Sequence, residues 1–477
     1  MEKLNWIGGR QVAGIRLTPN SNPANPDDVI GHYACASPDQ AAEAIAAARA
    51  AAPAWAATNP QTRSDILRRT GDLLHARAEE LGALLTREEG KTLREGIGEV
   101  RRSAQIFHYA AGEPLRAGGE SLPGLRDGMT VVVSREPVGV VGLITPWNFP
   151  MALPAWKTAY ALAYGNTVVL KPSDVTPACA WELANLLHQA GLPAGVFNLV
   201  MGPGSRLGPA LVDGADAISF TGSPGVGQDI LARSVPRRIK VQLELGGKNP
   251  LVVLDDADLD LAAGIAVQGA FHSTGQRCTA TSRIIVHRHV HDAFVERLVA
   301  RTRGLRVGDP MAPETDMGPV VNEGQLQKNL GYVAEARTEG AELACGGKRL
   351  DRPGWFMEPA LFVGTNNAMR INRDEVFGPV ACVISADDLD HAIAIANDSE
   401  HALSSGVVTR SLSAAEAFRR RSHAGLVMVN APTAGIDYHV PFGGRGASGY
   451  GGREQGSAAI EFFTEGKTTY VNHGVVD

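Results

Sequence analysis

Nowhere in this chain do two cysteines stand close enough to form a zinc knuckle or a redox pair. The five thiols, Cys35, Cys179, Cys278, Cys345 and Cys382, are odd in number, scattered and never in a CxxC arrangement. That argues against a disulfide framework and predicts a reducing, cytoplasmic setting. A basic excess is also missing: 45 Lys and Arg stand against 51 Asp and Glu, a formal net charge of -6. A nucleic-acid binder would show a basic face. No run approaches the ~18 consecutive apolar residues of a membrane helix, and the opening "MEKLNWIGGR" has no apolar signal core. The 54 glycines follow no short period, so collagen-like and low-complexity readings fall away. No GxGxxG follows the first strand-like run, and no internal repeat is evident.

What is present is an α/β pattern in 477 residues, room for two or three domains. Residues 39–52 read as an alanine-rich helix. Residues 62–92 read as a second, with Ile66, Leu67, Leu73, Leu74, Leu81, Leu84 and Leu85 on one stripe. An extended ribbon is expected around 130–134. From Val138 onward the short apolar runs "VGVVGLI", "TVVLKP", "VFNLVM", "AISF" and "IKVQLEL" alternate with helical stretches at 176–190, 205–212 and 225–234. Such alternation predicts a parallel sheet covered by helices. A second α/β unit begins at "PLVVLD", continues through a helix at 259–272 and reaches the strand "SRIIVH". The tail "EFFTEGKTTYVNH" alternates like a strand that pairs with the ribbon, which suggests a protruding arm.

Several stretches could carry chemistry, each beside a bland reading. In "SFTGSPGVG" the glycine-rich helix start at Gly222, Ser223, Gly225 and Gly227 could hold a pyrophosphate on its N–H groups, or Ser223 could simply cap the helix. Lys171 and Asp174 in "LKPSD" could bind ribose hydroxyls or be surface charges. Glu244 in "LELGGK" could be a desolvated general base or a solvated strand end. Asn148, held in "PWNFP", could donate to an oxyanion. Cys278 in "STGQRCTA" could be a nucleophile helped by Arg277, or small apolar filler. Two tempting signals are set aside. "HRHVH" spaces His287, His289 and His291 like metal ligands but sits where a strand gives way to a helix, so exposed histidines and no metal are expected. "DDADLD" opens like a calcium loop but carries Leu261 where glycine is required, and reads better as an acidic helix start.

In chain order, "PWNFP", "KPSD", "FTGSPGVG", "LELGGK", "GQRCTA", "EVFGPV" and "PFGG" resemble the motif set of the NAD(P)-dependent aldehyde dehydrogenase superfamily, over nearly the whole chain. The resemblance implies an α/β fold with three parts. These are a Rossmann-like cofactor domain (1–118 and 138–247), an α/β catalytic domain (248–446) and a small β oligomerisation arm with the tail (119–137 and 447–477). It implies that Cys278 attacks the aldehyde and that Asn148 and the Cys278 N–H hold the oxyanion. Glu244 would activate the hydrolytic water, with Glu454 of "GREQG" relaying protons, and Lys171 counts in the same catalytic set. NAD or NADP would lie along Ile144, Thr145, Pro146 and Trp147, with Lys171, Ser173 and Asp174 at the adenosine ribose. Gly222 and Ser223 would line the adenine and phosphate path with Ile144 and Trp147. Glu375 would hold the nicotinamide ribose with Phe377 packed nearby, and Gly204, Gly227, Leu245 and Gly246 would be further cofactor contacts. Asp174 stands where a glutamate is common in NAD-preferring members; an acid there repels a 2′-phosphate and favours NAD.

Within the superfamily, "STGQRCTA" with "TAGIDYHVPFGG" resembles the α-ketoglutaric semialdehyde (2,5-dioxopentanoate) dehydrogenase branch. Arg102, Phe149, Leu153, Trp156, Arg277, Ile436 and Tyr438 map to the substrate tunnel, and its two arginines suit a far carboxylate. The opposing reading pairs Arg102 with Glu99 on a helix surface. Succinic, glutaric and sugar aldehydes are the competing substrates, and a homodimer or homotetramer is implied. A CoA-acylating enzyme would not need Glu244, a cysteine hydrolase would want a histidine base, and a non-catalytic scaffold would not need the Cys278, Glu244 and Asn148 set.

Overall fold

The computed structural model describes residues 2–474, so residues 475–477 of the expected tail lie outside it. Its N-terminal helices follow their sequence signals. Helix α1 (Pro38–Ala56) opens with a capping box in which Ser37 and Gln40 satisfy each other's backbone N–H groups. The single stripe expected over 62–92 is two helices, α2 (Pro60–Ala76) and α3 (Ala78–Glu89), broken at Arg77 with φ -105° and ψ 18°. A second capping box, Thr92 with Glu95, starts α4 (Leu93–Ala110), which packs on α2 and α3.

Two large sheets follow the strand order expected of α/β units. The first places 240–244, 217–221, 140–144, 167–171 and 197–199 side by side in parallel, extended at its edges by antiparallel strands at 449–450, 5–7 and 10–12. All five residues of the strand at 140–144 are buried, as are those at 167–171 and 217–221, which is why they read as unbroken apolar runs. Helices α5 (Ala152–Ala163), α6 (Ala178–Gln189), α7 (Gly204–Gly214) and α8 (Pro224–Ser234) supply the crossovers. The second sheet runs 342–345, 360–363, 380–386, 281–287, 249–253, 404–408 and 426–429, parallel except at its first pair. Helix α9 (Leu259–Phe271) packs on it, capped by Asp258, which accepts from the N–H of Asp260 and Leu261; the acidic stretch is a helix start, as expected.

The tail strand 464–472 pairs antiparallel with 129–137 over nine residues, and 120–123 adds a third strand. Ribbon and tail therefore meet, as their alternation predicts.

Candidate active site

Parallel pairing brings four strand ends to one edge. Ile144 lies opposite Lys171 and Phe220, and Thr221 lies opposite Glu244. Ligands of open α/β sheets bind outside the carboxyl ends of the strands. The four-residue link 245–248 then crosses to the second sheet, where Asn249 pairs with Thr281. Cys278, three residues before Thr281, faces back toward the first sheet, and a cavity of about 660 Å³ lies between them. Cys278, Asn148 and Glu244 all line it.

The thiol stands after a backbone turn of unusual hand. Ser273, Thr274 and Gly275 take φ of 50°, 55° and 65°, one left-handed turn made mostly of residues that disfavour it. Glu95 of α4 holds it, accepting from the Ser273 N–H at 2.7 Å and its hydroxyl at 3.1 Å. Asn249 Nδ2 ties down the Cys278 carbonyl at 2.8 Å. Burial pushes the Cys278 thiol up to about 12, and the charges of Glu375 and Glu244 add to the effect. Arg277 acts on Cys278 through its charge only and makes no hydrogen bond to the thiol. Its guanidinium donates instead to the Gln268 and Gly269 carbonyls and sits in the field of Glu95.

Asn148 donates one amide hydrogen to the Gln276 carbonyl at 3.0 Å, leaving its second N–H for a ligand. Glu244 is 2 % exposed, so the solvated reading fails. Its carboxyl is raised well above the usual range by burial first and by the charge of Glu454 second. Glu454 is buried too: one oxygen accepts from Lys157 and from the Ser219 hydroxyl, and the other has no partner.

Along the strand ends the residues fit a dinucleotide. Lys171 is buried, and its ammonium, with three hydrogens to give, reaches only the Gly202 carbonyl at 3.4 Å. Burial lowers it to about 8 while Asp174 works the other way. The Thr145 and Thr221 hydroxyls are buried without partners. Ser223 occupies the N-cap position of α8 but makes no side-chain cap bond, so the capping reading fails and its hydroxyl is free. Gly227 is dictated by packing, since a Cβ there would come within 2.6 Å of Leu245. Glu375 reaches the Gly247 N–H at 3.0 Å, and Phe377 meets Trp147 edge-on at 5.2 Å. Pro146, Gly222 and Gly246 share the cavity wall with them. Ser173 Oγ accepts from the Val175 N–H, and exposed Asp174 borders a separate small cleft. Gly204 starts α7 beside the Lys171 ammonium.

On the other wall stand Arg102, Phe149, Leu153, Trp156, Arg277 and Ile436. Tyr438 does not line the cavity. It packs behind Arg102, whose guanidinium lies 5.4 Å from the ring centroid, and against Tyr109. The expected Arg102–Glu99 surface pair is absent, because Glu99 is buried and bonded to Lys91 and to the Met151 and Ala152 N–H groups. The histidine run also needs correction. His287 is buried, and Asp255, distant in sequence, comes within 4.8 Å of the ring nitrogens of His287 and His289. His287 Nδ1, however, accepts from the His289 N–H, which keeps the proton of a neutral ring on Nε2 and leaves no lone pair for an ion.

A half-buried thiol, a positioned amide and a desolvated carboxylate lining one cavity beside the strand ends of a parallel sheet are the equipment of a covalent-catalysis oxidoreductase. The chain belongs to the aldehyde dehydrogenase family, whose model matches residues 12–469. It is 42% identical over 476 residues to an alpha-ketoglutaric semialdehyde dehydrogenase of Bacillus subtilis, covering 98% of each chain. To an alpha-ketoglutarate semialdehyde dehydrogenase of Haloferax volcanii it is 44% identical, again with 98% of each covered. Among solved structures, an NAD-dependent aldehyde dehydrogenase from Sinorhizobium meliloti superposes with a TM-score of 0.97 at 36% identity, covering 100% of this chain and 96% of that one. A Staphylococcus aureus betaine aldehyde dehydrogenase in complex with NAD+ gives 0.96 at 34%, covering 99% and 95%.

Sequence reasoning missed Lys91, Lys157 and Gln276 and read Glu99 only as a surface acid, yet all four are buried around the site. Charged residues beside or within helices read as solvated, and only tertiary packing shows otherwise.

Proposed function

We propose that this aldehyde dehydrogenase oxidises an aldehyde carrying a distant carboxylate, α-ketoglutaric semialdehyde before others, to the acid, with NAD+ preferred to NADP+. The observation that carries the substrate class is Arg102. Its guanidinium stands in the cavity wall over Tyr438, and among the described residues no carboxylate bonds it. A carboxylate of substrate would supply that partner bidentately. A quaternary ammonium, as in betaine aldehyde, would be repelled.

Cys278 gives up its thiol proton to water in the open cleft and attacks the carbonyl carbon as the thiolate, and the resulting oxyanion is held by Asn148 Nδ2 and the Cys278 N–H. Lys171 and Asp174 would hold the adenosine ribose, and Glu375 the nicotinamide ribose. NAD+, when bound, supplies the hydride acceptor that lets the thiohemiacetal collapse to a thioester. Glu244, made more basic by burial and by Glu454, takes a proton from water as that water adds to the thioester, and the acid departs as the thiolate returns. The proton would then be relayed to Glu454, whose charge Glu244 feels and which is paired with Lys157. Residues 1–118 with 138–247 serve as cofactor domain, 248–446 as catalytic domain, and the β arm joins copies of the chain into a homo-oligomer.

The test is the initial rate of cofactor reduction with NAD+ and NADP+. The substrates are α-ketoglutaric semialdehyde, succinic semialdehyde, glycolaldehyde and butanal. Preference in kcat/KM for the carboxylated aldehydes, falling at least about tenfold in Arg102→Ala through loss of a charge-assisted pair, supports the reading. A flat profile removes the substrate class, and equal activity in Cys278→Ser removes the chemistry.

A further inference from the structure

Between α3 and α4 lies a buried charge cluster that the chemistry above does not use. The Lys91 side chain is 1 % exposed and meets two carboxylates. Its ammonium donates to Glu99 Oε2 at 2.8 Å and to the main-chain carbonyl of Asn148 at 2.7 Å, and lies 4.0 Å from the Phe149 ring centroid. The other oxygen of Glu99 accepts from the Met151 and Ala152 N–H groups, each at 3.0 Å, where α5 begins. The segment from Asn148 to Ala152 is thus gripped from one side by a single ion pair. On the other side, the Asn148 amide is tied to the Gln276 carbonyl, while the Gln276 side chain reaches Glu89 at 3.3 Å and the Val321 N–H at 2.9 Å.

We infer that Lys91, with Glu99, is a positioning residue for the oxyanion amide: it fixes the main chain of Asn148 so that the free N–H of its side chain stays aimed at the carbonyl bound to Cys278. Stability is a poor reason for such a cluster, since replacing a buried ion pair by apolar side chains is often neutral or favourable. Placement is a better one. Effective oxyanion stabilisation needs a donor held within hydrogen-bond distance of the developing charge, and an error of about 1 Å can cost on the order of 10²-fold. The ion pair and the hydrogen bond to the Asn148 carbonyl together remove the hinge freedom that the loop 145–151 would otherwise have. Burial works against the Lys91 charge, but Glu89 and Glu99 outweigh it, so the ammonium stays protonated while the enzyme works.

This inference rests on the assignment of Cys278 and Asn148 to nucleophile and oxyanion donor, and a double-mutant cycle keeps the two apart. Turnover of butanal with NAD+ is measured for Lys91→Met, Asn148→Ala and the double variant, with the unfolding temperature of each. Asn148→Ala is expected to lower kcat on the order of 10²–10³-fold, and Lys91→Met about 30-fold with KM for NAD+ unchanged. If Lys91 acts through Asn148, the double variant should match Asn148→Ala within about threefold. Losses that multiply, or a Lys91→Met enzyme within about twofold of the parent, overturn the positioning role. Full turnover by Asn148→Ala overturns the oxyanion assignment instead. Should Lys91→Met not fold, Glu99→Gln, nearly isosteric, enters the same cycle under the same criteria.

Discussion

Glu244 shows how much one carboxyl depends on its surroundings. As a strand-end residue it would be an ordinary, solvated acid; buried beside Glu454 it is held well above that range. A base must be deprotonated to act, so a raised pKa moves the rise of deacylation to higher pH. Steady-state turnover of the parent should therefore climb with pH above the usual carboxylate range. Glu244→Gln should lose that limb and fall at least about 100-fold in kcat, consistent with general-base effects of 10²–10⁴. Stopped-flow traces should still show a first burst of reduced cofactor, because thioester formation does not need Glu244. Loss of burst and turnover together would place Glu244 in the attack step instead. Side-chain type alone left Cys278, Asn148 and Glu244 each beside a bland reading; the resemblance of their motif contexts singled them out, and the structure brings all three to one cavity. Lys91, Glu99 and Lys157 were not singled out, because nothing local in "EEGKTLREGIGE" or "PAWKTAY" distinguishes a buried lysine from a solvated one.

At the level of elements, the parallel strands of the first sheet and those at 249–253 and 281–287 were legible to within a residue or two, since fully buried strands write themselves as apolar runs. The strands at 360–363, 380–386, 404–408 and 426–429 were not singled out. The break at Arg77 was not legible either, for "LLHARAEE" contains neither Gly nor Pro and keeps its apolar stripe across the joint. The left-handed turn before Cys278 was also invisible, because "HSTG" contains only one residue that favours positive φ. Gly275 is the critical position in it. A Cβ there would stand 2.3 Å from the Gly378 carbonyl oxygen, on top of the cost of φ 65°. Gly275→Ala should destabilise by about 3 kcal/mol or more, combining strain and overpacking, and should displace the thiol. Gly264→Ala is the matched control: it lies inside α9 with nothing within 4 Å of the added carbon. Removing glycine from a helix interior should raise stability by roughly 0.5–1 kcal/mol. Chemical denaturation of both variants, with activity measured in parallel, checks the pair. Equal effects would mean that the turn tolerates a side chain and stores no strain.

Across the whole molecule, the two large sheets are joined through 245–248 at the site, while the three-stranded arm of 120–123, 129–137 and 464–472 leaves much of its surface exposed. Three antiparallel strands rarely hold an exposed apolar face without a partner. Here the pairing puts Leu122 opposite Val131 and Val131 opposite Tyr470, so the three side chains share one face. Leu122 is 46% exposed and Tyr470 62%. A second chain covering this row would bury it, which is the physical content of the proposed homo-oligomer. Leu122→Arg combined with Tyr470→Glu should leave the catalytic cleft intact, since neither residue lines it. The pair should lower the mass seen by sedimentation, with Arg102, Cys278 and Glu244 still in place to sustain turnover. An unchanged mass would move the subunit contact to another face. A parent protein that already sediments as a monomer would leave the arm without the role proposed for it.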